Sequence, residues 1–292
     1  MFFKSLFKPK KEITGPGPEC IIDESLEKAL LYKRLQVKNS TTVNLGYDDA
    51  GNPIIVDIDD APHFLIAGET KSGKSVCINN IIIQLLYKCS PVDGLHLYIA
   101  DVKDVDYALY EFYKLPHLKR YTRKPAEILA MLQEIADYMD DMLSTCREHL
   151  VMEINDLPYK VAHKLIIFDE YSSIEKCPEK KDIIRLTEYI ARKGRAAGIH
   201  LIIGTQSPTT SNGEITSTVK NNLGTRIAFK VGSKQASLNI LGTGKVDASE
   251  INERGRGILK FTGMPLTGFK GVYVSKQQIK AIVDHWHRQY ER

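Results

Sequence analysis

The 292-residue chain has no stretch near the ~18 consecutive apolar residues that a membrane-spanning helix needs. Its first residues, Met1-Phe2-Phe3-Lys4-Ser5-Leu6-Phe7-Lys8, are basic and apolar, but the lysines come too early for the core of a signal peptide. They read as a basic tail; docking onto a membrane surface or a machine partner is the second reading. Cysteine is scarce. Cys20, Cys77, Cys89, Cys146 and Cys177 are odd in number and form no C-x-x-C pair. That argues against a zinc knuckle or a disulfide framework and fits reduced thiols in a cytoplasmic protein. Net charge is low, with 40 basic and 36 acidic residues leaving +4. This balance neither demands nor excludes nucleic acid, because basic side chains can gather on one surface. The eight histidines are scattered along the chain. His285 and His287 lie two apart in a helical tail, where they do not share a face, so they make no metal site. There is no internal repeat and no low-complexity tract.

What remains is ordinary globular composition, 43% hydrophobic and 26% charged. Residues 1–40 read as basic tail, Gly-Pro linker and a short helix over 23–36; residues 41–292 read as one domain. Residues 42–58 alternate around Asp48-Asp49-Ala50-Gly51-Asn52-Pro53, the pattern of a strand–turn–strand hairpin, which makes 41–62 a small N-terminal hairpin region. The middle has an α/β rhythm. Short apolar runs at 63–67, 95–100, 164–168, 199–204 and 226–230 read as strands. Helical patterns fill 75–87, 125–149 and 179–197, the last closed by Gly198, and a C-terminal helix spans 276–292. Strands alternating with helices predict a mainly parallel sheet covered on both faces.

Gly68-Glu69-Thr70-Lys71-Ser72-Gly73-Lys74-Ser75 fits G-x-x-x-x-G-K-[ST], with an apolar strand before it and a helix after it, and these eight residues with Val76 are the expected nucleotide-binding residues. Glycines let such a loop turn tightly and aim N–H groups at phosphate oxygens, and the helix start adds its positive end. Lys74 is expected on the β- and γ-phosphates of ATP, and the Ser75 hydroxyl on Mg²⁺. A second strand, Leu165-Ile166-Ile167-Phe168, ends in Asp169-Glu170. Asp169 is expected to support Mg²⁺ and Glu170 to activate the attacking water. Thr205-Gln206 closes a third strand, where Gln206 is placed to sense the γ-phosphate, because open α/β sheets bind ligands at strand C-termini.

With these residues in place the chain resembles the FtsK/SpoIIIE family of motor ATPases. The resemblance runs from about Val43 to Ser275. It rests on Pro62-His63-Phe64-Leu65-Ile66-Ala67-Gly68, Asp101-Val102-Lys103, Leu115-Pro116-His117-Leu118, Asp169-Glu170, Ala191-Arg192-Lys193-Gly194-Arg195-Ala196-Ala197-Gly198-Ile199-His200, Gly204-Thr205-Gln206-Ser207-Pro208 and Thr225-Arg226-Ile227-Ala228-Phe229. It implies a RecA-like P-loop fold, ATP and Mg²⁺ as cofactors, DNA as partner and a hexameric ring with nucleotide between neighbouring subunits. Arg226 corresponds to the arginine that reaches a neighbour's γ-phosphate. Lys193 and Arg195 fit equally an intersubunit or DNA-facing role and plain placement of cations at a helix end. The 208–220 stretch is one candidate pore loop.

The chain departs from the family at Ser207, where an arginine is common, and at Ala236-Ser237-Leu238, where Asp-Ser-Arg is common. Chromosome translocases of the family carry membrane spans before the motor and a winged helix after it, and neither is read here. With the run Glu253-Arg254-Gly255-Arg256-Gly257-Ile258-Leu259-Lys260, this points to the coupling-protein and mobile-element branch: a DNA translocase for conjugative, plasmid or phage DNA. Two other readings are a protein-export motor similar to type VII secretion ATPases and an ATP-gated assembly protein with little turnover.

Overall fold

Strands β1 (Thr42–Tyr47) and β2 (Pro53–Asp57) pair antiparallel and start the described chain. The structure, a computed structural model, describes residues 41–104, 106–206 and 215–290. The basic tail, the 23–36 helix and most of the 208–220 loop lie outside these residues. After the hairpin come β3 (His63–Ala67), α1 (Lys74–Lys88), β4 (Leu95–Asp101), α2 (Ala108–Phe112), β5 (Leu118–Thr122) and α3 (Pro125–Glu148). They are followed by β6 (His163–Asp169), α4 (Lys180–Lys193), β7 (Ile199–Thr205), α5 (Ser217–Asn222), β8 (Thr225–Ala228) and α6 (Lys234–Leu241). The chain closes with β9 (Arg256–Lys260), β10 (Thr267–Gly271) and α7 (Lys276–Tyr290).

The ten strands among the described residues form one sheet in the order β2-β1-β10-β9-β8-β3-β7-β6-β4-β5. The half from β8 to β5 is parallel; from β8 to β2 every pairing is antiparallel. The parallel strands are apolar on both faces because both faces are covered. Phe64, Ile66, Leu165, Ile167 and Ile202 point into one core, with α1 and α7. Leu65, Ala67, Ile166, Phe168, Leu201 and Ile203 point into the other, with α3 and α4. Successive side chains alternate faces, so one uninterrupted run supplies both. In α3 the buried residues Ile128, Met131, Leu132, Ile135, Ala136 and Met139 keep the three-and-four spacing of a helix with one apolar face, and Pro125 occupies its first turn.

Two boundaries differ from the sequence expectation, and several short elements are added. Helix α4 stops at Lys193 and continues as a 3₁₀ turn, Gly194–Ala197, before Gly198 takes a left-handed φ of 64°. Strand β8 ends at Ala228 because the next residues serve the phosphate loop: Phe229 N–H donates to Ala67 O at 2.8 Å, and Glu69 N–H donates to Lys230 O at 2.8 Å. The β9–β10 pair, β5 and α6 were not read at all. They are short and mix buried with partly or fully exposed positions, so neither period stands out.

The hairpin is joined to α1 by polar groups. Asn44 N–H donates to Gln84 Oε1 (2.8 Å), and Asn44 O accepts from Asn80 Nδ2 (2.7 Å) and Gln84 Nε2 (2.8 Å). All three side chains are buried, and the bonds make their burial tolerable. At the far end of α1, Trp286 of α7 donates its indole N–H to Leu86 O at 2.7 Å. His287 contacts Tyr113 O at 2.6 Å and so has a backbone partner.

Candidate functional site

The phosphate loop lies between β3 and α1. Neighbouring strands anchor it: Gly68 N–H donates to Thr205 O (3.2 Å), and Gly255 N–H donates to Ser72 O (2.8 Å). Lys71 and Gly73 hold positive φ of 67° and 127°. Helix α1 starts without a side-chain cap and without an acidic residue in its first turn. Its leading N–H groups have no intrahelical acceptors, and the helix dipole makes this end positive. Ser72 Oγ is buried without a hydrogen-bond partner. An uncapped, positive helix end beside an orphaned hydroxyl is a place for an anion.

The ends of β4, β6 and β7 supply the rest. Asp169 closes β6 and is 2% exposed; its carboxylate forms an ion pair with Lys74, which is 6% exposed. Burial pushes the Asp169 carboxyl above its ordinary range, against the pull of the Lys74 ammonium. A Cβ at Gly204, on β7, would run into Asp169 Oδ1 and lie 3.1 Å from Lys74 Nζ, so a side chain there would evict the pair. Glu170 follows in left-handed backbone, φ 59°. Its Oε2 accepts from Lys103 Nζ at 2.6 Å, and its Oε1 from the Ser172 hydroxyl and from Gln206 N–H (3.3 Å). Burial raises the Glu170 pKa, but the bonds from Lys103 and Ser172 outweigh it and hold the carboxyl below its ordinary value. Gln206 Oε1 in turn accepts from Thr70 Oγ1 at 3.2 Å. Ser75 Oγ donates to Asp106 Oδ2 at 2.7 Å.

A cleft of about 590 Å³ is lined by Glu69, Thr70, Lys71, Gly73, Lys74, Ser75, Val76, Lys103, Asp106, Gln206 and Arg254; Asp169 and Glu170 stand behind it, bonded to its Lys74, Lys103 and Gln206. A second, mostly apolar hollow of about 260 Å³ adjoins it across Gly73 and Val76, with Phe229 and Tyr273 on its walls. The fold therefore brings together Lys74, Ser75, Asp169, Glu170 and Gln206, distant in sequence. It also adds Lys103, Asp106, Ser172, Arg254 and Tyr273, to which the sequence reading gave no role. Two of these carried a signal: Lys103, as the last residue of the Asp101-Val102-Lys103 segment, and Arg254, within the run 253–260.

Arg226 is elsewhere. Its side chain donates to Leu223 O (3.3 Å), Ile240 O (3.2 Å) and Lys220 O (2.7 Å), so in the single chain it is turned inward onto backbone carbonyls. Reaching a neighbour's phosphate would require it to leave these partners. Lys193 and Arg195 are exposed at the opposite edge of the sheet, just before β7 begins, and Lys193 donates to Tyr189 OH at 3.0 Å.

Residues 26–174, half of the chain, match the FtsK/SpoIIIE family. The chain belongs to this family. Among curated relatives, the DNA translocase FtsK of Helicobacter pylori (strain J99) is 34% identical over 280 residues, covering 92% of this chain and 32% of the relative. The DNA translocase SftA of Bacillus subtilis is 33% identical over 262 residues, 85% of this chain and 26% of the relative. This FtsK/SpoIIIE chain thus spans about a third of the length of the FtsK it matches. Among solved structures, the pCW3 conjugation coupling protein TcpA, a monomer form with ATPγS, superposes with TM-score 0.72 at 25% identity over 84% of this chain and 71% of that one. The cytoplasmic domain of the Thermomonospora curvata type VII secretion ATPase EccC gives 0.71 at 25% identity, 88% of this chain and 32% of that one. The mainly parallel sheet with helices on both faces is the RecA-like P-loop fold of these neighbours.

Proposed function

We propose that this chain is an ATP-hydrolysing motor that moves DNA, serving the transfer or handling of mobile-element, plasmid or phage DNA. The observation that carries the reading is the placement of Glu170. A carboxylate held in its charged form by Lys103 and Ser172 sits beside Gln206 at the mouth of a phosphate loop. A passive nucleotide binder has no use for such a base, whereas hydrolysis needs one to take the proton of the attacking water.

The roles follow from the geometry. The turn over residues 68–73 and the first N–H groups of α1 would cradle the phosphates, and Lys74 would exchange Asp169 for the β- and γ-oxygens. Gln206, hydrogen-bonded to both Thr70 and Glu170, would report the γ-phosphate to the base. The apolar hollow with Phe229 and Tyr273 suits the flat face of the base. Magnesium fits the donors present: the Ser75 hydroxyl and the Asp169 carboxylate are hard oxygen ligands, few in number, as this ion prefers. Bound there, it would neutralise charge on the phosphate oxygens.

Family membership supports DNA as the cargo, since the FtsK and SftA relatives are DNA translocases and TcpA is a conjugation coupling protein. We further propose a hexameric ring working in the cytoplasm, with the N-terminal tail available to a membrane or machine partner. Arg226 serves a neighbour's γ-phosphate in that ring only by giving up its carbonyl partners. The likeness to EccC favours a second reading, a motor for protein export. Steady-state ATP hydrolysis, with and without single- and double-stranded DNA over a range of protein concentrations, separates the two. DNA stimulation that disappears in Glu170→Gln is the expected result. Hydrolysis indifferent to every DNA tested would overturn the DNA reading and leave the export motor.

A further inference from the structure

A second polar cluster lies at the opposite edge of the sheet from the phosphate loop. His163 opens β6, His200 is the second residue of β7, and Asp59 sits in the connection between β2 and β3. Their ligand-type atoms all fall within 4.8 Å of one another. His163 Nδ1 is 2.8 Å from His200 Nε2, and Asp59 Oδ1 is 3.5 Å from the first and 3.7 Å from the second. The ring planes are 7° apart and the centroids 5.1 Å apart, so the two imidazoles meet edge to edge through that nitrogen contact. His200 is 1% exposed and His163 13%.

The surrounding bonds fix which His163 nitrogen carries the proton. Asn155 Nδ2 donates to Asp59 Oδ2 at 3.2 Å, so the amide oxygen faces His163 Nε2, at 3.1 Å. Nε2 is therefore the protonated nitrogen, and a neutral His163 turns the bare lone pair of Nδ1 toward His200 and Asp59. An acceptor nitrogen, a second imidazole nitrogen and a carboxylate oxygen are gathered at one place; the two nitrogens face each other along their 2.8 Å contact, and both rings would turn by about 30° to aim at a shared ion. Ligands about a tetrahedral ion with bonds of 2.0–2.2 Å stand about 3.4 Å apart. The two oxygen–nitrogen separations are close to that value, and the nitrogens would part by about half an ångström.

We propose that Asp59, His163 and His200 bind one divalent transition-metal ion, zinc by ligand set, with water as a further ligand. Two imidazoles and a carboxylate are the mixed N/O donors that Zn²⁺ accepts. Asn155 orients both His163 and Asp59, as outer partners of metal ligands do. Access is through a cleft of about 450 Å³ that His163 and Asn155 help to line. The ion would fasten the connection behind the hairpin to the starts of β6 and β7, a structural role separate from the phosphate chemistry.

The test uses the full chain, stripped with chelator, dialysed and titrated with ZnCl₂ by calorimetry, with thermal melting in parallel. We expect one Zn²⁺ per chain and a rise in melting temperature on binding. The double variant Asp59→Asn, His163→Gln should lose affinity by more than about 100-fold while keeping the far-UV circular dichroism of the metal-free protein. Asn155→Ala should weaken binding by about 10–100-fold. X-ray absorption at the zinc edge should show nitrogen and oxygen ligands with imidazole scattering. Binding that is absent, that survives the double variant, or that shows sulfur ligands overturns the proposal; the rings are then joined by a simple N–H···N hydrogen bond.

Discussion

The two edges of the parallel sheet carry opposite chemistry. Where β3, β4, β6 and β7 end, they present Asp101, Asp169, Glu170 and Gln206 next to Lys74, Lys103 and an uncapped helix. Where the same strands begin, they present His63, His96, His163 and His200, and His117 immediately precedes β5. Charge at the first edge is paired and retained. At the second edge burial drives the imidazoles toward neutrality: His63 and His117 are both pushed down to about 4. One scaffold thus separates an end where acidic and basic groups are paired from an end where buried imidazoles are kept neutral. The same right-handed connections that collect loops at strand ends collect strand starts at the other side, so both clusters are products of topology.

The largest expected effect falls on the charged edge. Glu170→Gln should lower kcat by about 10²–10⁴ with nucleotide still bound, the range for loss of a general base. Lys74→Ala should weaken nucleotide binding itself. Equal loss of binding in both variants, measured with a fluorescent ATP analogue, would break the division of labour between them. Lys103→Ala releases Glu170 from its partner and should cost activity by less than Glu170→Gln. It should also shift the acid limb of the pH–rate profile upward, because the carboxylate loses a bond that favours its charged form.

Next is Gly204→Ala. The added methyl meets the Lys74–Asp169 pair, so we expect about 1–3 kcal/mol of destabilisation, typical of overpacking, together with lost ATPase. Full activity in this variant would mean the pair is not needed in its present place.

Stability against pH sharpens the comparison further. His63 and His117 have folded pKa values near 4, below the ordinary value of 6.5, so between these limits the unfolded chain binds more protons. Stability is then full above pH 6.5 and falls as pH drops, by about 1.4 kcal/mol per unit for each such histidine. Glu170, whose pKa is depressed, adds stability that is lost only below its ordinary 4.5. The histidine edge should therefore weaken first on acidification. Guanidinium midpoints at pH 7, 6 and 5 measure the slope, and His117→Gln should flatten it.

The smallest effect on this chain's own cleft is expected from Arg226→Ala, which acts on stability. Three carbonyls lose a donor, and a net worth of about 1 kcal/mol per bond gives about 3 kcal/mol, a drop of several degrees in melting temperature. Unchanged stability with abolished ATPase would instead assign Arg226 to a neighbouring subunit's nucleotide.

The legibility of the two edges differs for a physical reason. The phosphate loop is a contiguous segment whose glycines, lysine and serine must occur at fixed offsets, so residues 68–75 declare it. Asp169, Glu170 and Gln206 are readable because each directly follows an apolar run. The parallel half of the sheet is readable for the same reason, with strands apolar on both faces. The antiparallel β9–β10 pair is not, since its residues alternate weakly and its edges are partly exposed. The histidine edge is invisible in one dimension. His163 and His200 stand 37 residues apart, and Asn155 is 96 from Asp59. Nothing local distinguishes them, and only the parallel register brings the strand starts together.

Asn44 gives the hairpin a mechanical meaning. Its backbone N–H and C=O are both bonded to side chains of α1, the helix that begins with Lys74. Sliding one against the other breaks three hydrogen bonds together, about 3 kcal/mol at ordinary net worth. Helix α1 and β1 are therefore latched to one another by buried polar groups. In the proposed motor, a shift of α1 on nucleotide binding would carry β1 and the outer strands with it.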